Sequence, residues 1–120
     1  MKLIFLILPL FLFSCSDTLD LAQKEVEKKA MDKLRSELVI LAESSISSIK
    51  YKCNFIGLGS KPCGGHWEYL IYSSSIDTDK FLTKVEVYNK LEKEFNQKWG
   101  VLSDCSLVVP PDSVICKEGK

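Results

Sequence analysis

Six side chains of this chain could carry redox, metal or nucleophilic chemistry: Cys15, Cys53, Cys63, Cys105, Cys116 and the single histidine, His66. Cys63-Gly64-Gly65-His66 is a C-x-x-H half-site, and zinc accepts Cys₃His ligand sets. The other cysteine spacings fit no familiar zinc module, so no metal and no other cofactor is expected. Cys63 and His66 could instead form a thiol–imidazole pair for nucleophilic catalysis, which requires a free thiol. The third use of cysteine is cross-linking. With Cys15 set aside for reasons given below, four remain, and an even number on the exported side of a membrane implies disulfides.

Other catalytic constellations are weak. A hydrolase needs a nucleophile, a base and an orienting group within reach of one another. The serines of Ser44–Ser48 and Ser73–Ser75 read as loop and cap residues. Asp77, Asp79 and Glu68 could supply a glycosidase pair, but Asp77 and Asp79 fit better as charges favoured in the first turn of a helix. Gly57-x-Gly59 lacks the Lys-Ser/Thr pair and the following helix of a phosphate loop. The expectation is a non-enzymatic chain, with a small envelope enzyme using His66 as the alternative.

The elements that must position these residues sit in a 120-residue chain, room for one domain at most. Lys+Arg and Asp+Glu are both 16. With no basic excess to hold a phosphate backbone, nucleic acid is not expected as a partner. Met1-Lys2 is followed by an eleven-residue apolar run, Leu3–Phe13, broken by Pro9 and too short to span a bilayer. A positive start and a short apolar run fit a secretory signal.

The run ends in Leu12-Phe13-Ser14-Cys15, which resembles a bacterial lipobox. That resemblance implies a signal peptide over 1–14, cleavage before Cys15 and a diacylglycerol on its thiol. The partner so implied is a membrane, reached through the lipid anchor at Cys15, since two or more acyl chains hold stably. Ser16, where Asp would favour inner-membrane retention in enterobacteria, leans toward the outer membrane.

From Asp17 or Thr18 to about Ser48 there is neither Gly nor Pro. Leu19, Ala22, Val26, Ala30, Leu34, Leu38 and Leu41 recur at helical spacing. The opposite face is charged. The first half of this helix either projects as a spacer above the membrane or packs on the body, and the pattern alone leaves both open. Ser44–Ser48 marks its end. Tyr51–Ile56 reads as a strand, 57–65 as a Gly/Pro loop, and Trp67–Tyr72 as a strand or short helix. Asp77 or Thr78 caps a second helix with an apolar stripe of Phe81, Val85, Tyr88, Leu91, Phe95 and Trp99, closed by Gly100. Ser103–Val109 and Ser113–Lys117, separated by Pro110-Pro111-Asp112, read as a hairpin.

This order of elements bears on the cysteines. The second helix runs back along the segment before it, which brings Cys105 near Cys63 and favours Cys63–Cys105 with Cys53–Cys116. A hairpin about Pro110-Pro111 also places Cys105 opposite Cys116, so that pairing competes. A body of this size has a small core and needs such staples.

Cys53…Gly57…Gly59-Ser60-Lys61-Pro62-Cys63-Gly64-Gly65…Tyr69-Leu70-Ile71-Tyr72-Ser73, and later Ser103-Asp104-Cys105…Pro110-Pro111…Cys116, resemble a pattern in small exported bacterial proteins without assigned activity. The resemblance covers about residues 53–120. Those proteins commonly carry Pro where this chain has His66, which implies that His66 is not an essential ligand or base.

The expected architecture is α+β: a long N-terminal helix, a small antiparallel sheet and one amphipathic helix, stapled by disulfides. Residues 1–14 are the signal peptide, 15–48 the lipid attachment and helical spacer, and 49–120 the disulfide-bonded domain. The expected role is that of a lipid-anchored protein of the bacterial cell envelope that binds or supports another envelope protein. Inhibition of a secreted hydrolase is its sharper form.

Overall fold

A computed structural model describes residues 16–118; Cys15 and its proposed lipid lie outside them. The order is helix, strand, strand, helix: α1 (Ser16–Glu43), β1 (Cys53–Leu58), β2 (Glu68–Ser73) and α2 (Thr78–Trp99). The fold is α+β, as expected. β1 and β2 pair antiparallel, from Cys53 opposite Ser73 to Leu58 opposite Glu68. Trp67–Tyr72 is therefore strand rather than helix in its greater part. β1 begins two residues later than read and runs on through Gly57, whose ladder partner is Tyr69.

α2 matches its sequence signals closely. The Asp77 side chain accepts the Lys80 N–H at 3.1 Å, satisfying one of the first-turn donors. Gly100 closes the helix in the left-handed conformation at φ 59°, which costs glycine no side-chain clash. Phe81, Val85, Tyr88 and Phe95 are buried. Leu91, read as a member of that stripe, is 42% exposed. It lines an open groove with Ala30 and Leu34 rather than the core.

The question left open for α1 is decided by its contacts. Leu19, Leu21 and Val26 are exposed, whereas Met31, Leu38 and Ala42 join the buried cluster with Leu58, Leu70, Tyr72 and the α2 residues. Docking begins at Glu27, which accepts the Trp99 Nε1–H at 2.9 Å and pairs with Lys98. That ammonium, foremost, holds the Glu27 carboxyl below the usual carboxylate range. Arg35 pairs with Glu68 at the start of β2, and Leu38 and Ala42 carry the contact on toward the end of α1. α1 thus lies antiparallel to α2 with its first two to three turns beyond the body.

The two serine-rich stretches meet. Ser73 is buried; its Oγ donates to the Ile46 carbonyl at 2.7 Å, and its N–H donates to Ser45 Oγ at 3.1 Å. Ser75 Oγ accepts the Ile46 N–H at 2.7 Å. These bonds sew the end of α1 to the end of β2 and satisfy backbone groups that neither element could satisfy alone.

The C-terminal hairpin expected over 103–117 is absent: the described residues after Val101 form neither helix nor strand. Cys63–Cys105 and Cys53–Cys116 are the two disulfides, the favoured pairing, and Cys105 does not bond Cys116. The physical reason is that each half of the segment is tied to a different place. Cys105 is held at the loop after β1 and Cys116 at the start of β1, so the two halves are not free to lie side by side. The segment is stretched as a strap across the body instead of folding on itself.

Candidate functional site

The loop joining β1 to β2 is fastened to α2 by one row of polar side chains. Asn89, Glu92 and Asn96 lie at spacings of three and four and so share a face of the helix. Asn89 Oδ1 accepts the Gly59 N–H at 2.6 Å, and its Nδ2 donates to the Gly57 carbonyl at 3.0 Å. One amide thereby serves the backbone groups that a residue of a neighbouring parallel strand would serve, and the outer edge of β1 is covered there. Glu92 accepts the Ser60 N–H, and Asn96 Nδ2 donates to the Ser60 carbonyl at 2.7 Å. Glu92 also takes the Tyr88 hydroxyl at 3.3 Å. Burial first, and the Glu92 charge second, push the Tyr88 phenol far above its ordinary range.

From the other side the loop is tied to the strap. Lys61 is buried, with its side chain 4% exposed. Its ammonium donates to the Ser106 carbonyl at 2.7 Å and to Ser106 Oγ at 3.1 Å, lies 3.4 Å from Asp104, and sits 5.0 Å above the Trp67 ring. Buried ammonium groups are found paired and hydrogen-bonded because an unpaired one is costly. Sequence reasoning missed Lys61. Between Ser60 and Pro62 in a loop, nothing in the residue types separates it from a solvated lysine. The Cys63–Cys105 bond, with Cα atoms 5.5 Å apart, adds a covalent tie two residues on. The tip, Pro62–Gly65, stays exposed.

His66 is engaged within the fold. Its Nδ1 lies 2.7 Å from the Gly59 carbonyl; a carbonyl only accepts, so Nδ1 carries the proton. The ring rests on Gly57, where a Cβ would overlap it, and meets Tyr69 edge-on at 5.8 Å. Glycine at 57 is therefore a packing requirement. Cys63, in its disulfide, cannot act as a thiolate beside His66. The carboxylates considered for glycosidase chemistry are also placed: Asp77 caps α2, and Glu68 pairs with Arg35. Among the described residues no group of three His, Cys, Asp or Glu side chains could hold a metal ion. No described helix is long and apolar enough to cross a membrane.

Between the loop and α2 lies an open cleft of about 700 Å³. Its loop wall includes Gly64, Gly65 and His66, and its helix wall Glu86, Lys90, Lys93 and Gln97. Comparisons with family models, with curated proteins and with solved structures find no match. The functional reading therefore rests on the chain's own residues.

Proposed function

We propose that the chain is a lipid-anchored cell-envelope protein whose body binds a partner through the 59–67 loop without catalysing a reaction. The carrying observation is the combination of a fully braced loop and an exposed tip. Three α2 side chains, Lys61 and Cys63–Cys105 hold the backbone, while Pro62–Gly65 face solvent. A loop already ordered before binding avoids much of the entropy cost of association. Small stapled inhibitors of secreted hydrolases exploit that advantage, which makes such an enzyme the sharper form of the partner. Anchoring through Cys15 keeps its lipobox support, two disulfides fit an oxidising compartment, and Ser16 favours the outer membrane.

The test is site-specific photo-cross-linking in intact cells, with the reactive residue at Gly64 or, as control, at exposed Lys50. A discrete adduct from position 64 alone, weakened in Cys63→Ser/Cys105→Ser, is expected. Equal labelling from both positions overturns the loop reading. His66→Asn, which retains a donor in place of Nδ1, separates the enzyme alternative: a binder keeps its adduct, whereas an enzyme using His66 loses turnover. Cys15→Ser should abolish fatty-acid labelling; labelling that survives overturns the anchor.

A further inference from the structure

The turns of α1 that reach beyond the body carry an ordered row of apolar side chains. Leu19, Ala22, Val26 and Ala30 follow at helical spacing, and all are exposed, Leu19 at 69% and Val26 at 68%. The row continues into Leu34, which with Ala30 lines an open groove of about 530 Å³ against Leu91 of α2. Single exposed apolar residues need no explanation, but a contiguous row marks a contact with protein or membrane. The body leaves this row clear. It is held by Met31, Leu38 and Ala42, which lie about 120–160° around the helix from Val26.

We propose that this row and the edge of the groove lie on the bilayer that holds Cys15, so that the first half of α1 rests along the membrane instead of standing up from it. This orientation rests on the lipid anchor proposed above and adds to it a surface that touches lipid. Cys15 directly precedes Ser16, the first residue of α1, so no linker separates the acyl chains from the helix. The first turn is at the headgroups whichever way the helix points. Upright, the helix would hold Val26 about 16 Å out in water. Lying down, it places Leu19, Ala22, Val26 and Ala30 at the interface, where amphipathic helices bury one face. It does not cross, since no described helix is long and apolar enough to do so. Asp17, Asp20, Lys24 and Lys28 fall on the other side of α1 and stay in water. Lys29 and Lys33 flank the row, where a lysine stem covers apolar surface and its ammonium reaches water. Glu37 ends it. A protein partner fits this row less well. It offers no Trp, Tyr or Arg of the kind that dominates protein interfaces. A second copy paired as a coiled coil needs a repeat of 3.5 residues, whereas the recurring spacing of four drifts around the helix.

The test uses the full-length acylated protein reconstituted into phosphatidylcholine vesicles. A nitroxide is carried on a ketone-bearing residue at position 22 or, as control, at position 21, so the native cysteines stay untouched. Leu21 is 65% exposed, as the row is, but lies about 140–160° around the helix from Val26 and Leu19. Site 22 should be relaxed by oxygen, which concentrates in lipid, and site 21 by a water-soluble nickel complex. Leu19→Ser/Val26→Ser should make site 22 nickel-accessible, with the melting temperature unchanged and the protein still on the vesicles. Equal nickel access at both sites overturns the lying helix, and fatty-acid labelling of Cys15 in the same sample leaves the anchor standing. An oxygen preference that survives the double variant overturns the row. Shielding of site 22 from both reagents overturns the bilayer as its cover, and broadening between labels would then identify a second copy. An unacylated chain that stays off the vesicles overturns anchor and orientation together.

Discussion

The buried cluster and the C-terminal strap are built on opposite principles. Every side chain of the cluster comes from between Met31 and Phe95, pressed among the second half of α1, the sheet and α2. In the strap, described residues 102–118 bury no side chain fully, and Leu102 and Leu107 are 91% and 82% exposed. The strap is as rich in Leu, Val and Ile as the core, yet those residues remove little apolar surface from water. Its position is set instead by two disulfides, by the Lys61 ammonium and by Ser47, whose hydroxyl donates to the Lys117 carbonyl at 2.7 Å. Apolar content therefore does not predict which segment carries the stability. What matters is whether the segment has a regular face that can be packed against another.

The strongest way to break this contrast is at Phe81, which is fully buried against Tyr72 with ring centroids 5.0 Å apart. Phe81→Ala should lose about 3–5 kcal/mol, a large part of a stability of about 5–15 kcal/mol, read as a collapse of the denaturation midpoint. A near-normal midpoint would show that the cluster is not where the stability lies.

Removing Cys63–Cys105 with paired serines should cost about 2–4 kcal/mol, since the bond closes a long loop. Limited proteolysis should then cut within 106–111 while the body stays folded. Simultaneous loss of strap and body would mean that the strap is part of the core after all.

Lys61→Met tests the polar tie. It leaves the Ser106 carbonyl to water, so a loss of about 1–3 kcal/mol is expected, with faster amide exchange along the strap. An unchanged strap would assign its placement to the disulfides alone.

Alkaline pH sharpens the core side of the comparison. Tyr88 holds its proton more firmly folded than unfolded, so its contribution is present below the unfolded phenol pKa of about 10 and is lost as pH rises beyond it. In Tyr88→Phe the fall in stability above that pH should be shallower by about 1.4 kcal/mol per pH unit. An unchanged slope would show that the buried phenol is not what titrates. The smallest effect is expected at Leu107→Ser, within about 0.5 kcal/mol. A larger loss in urea denaturation would mean that this exposed side chain packs.

Much of the candidate site was legible in part. The Gly/Pro composition of 57–65 marked a loop, and the cysteine count marked its staples. Asn89, Glu92 and Asn96 could be placed on one face of α2 by spacing, but their role could not be read. An amide that hydrogen-bonds backbone thirty residues away has no local signature. The same holds for Lys61 and for the pairing of the two serine clusters.

The linear pattern alone determined the two helices, the caps of α2, the first strand in outline (read as 51–56) and the need for two cross-links. These follow from local causes: periodicity, side-chain capping and the φ freedom of Gly100. Only the tertiary structure decided where α1 leaves the body, that Leu91 faces a groove, that Ser103–Lys117 is a strap, and that Lys61 is buried. Each of these depends on which surface lies opposite, and burial is a property of two facing segments. A strand in particular needs a neighbour to accept its hydrogen bonds. The strap has the residues of a strand, but its ends are held apart by bonds to two different parts of the body.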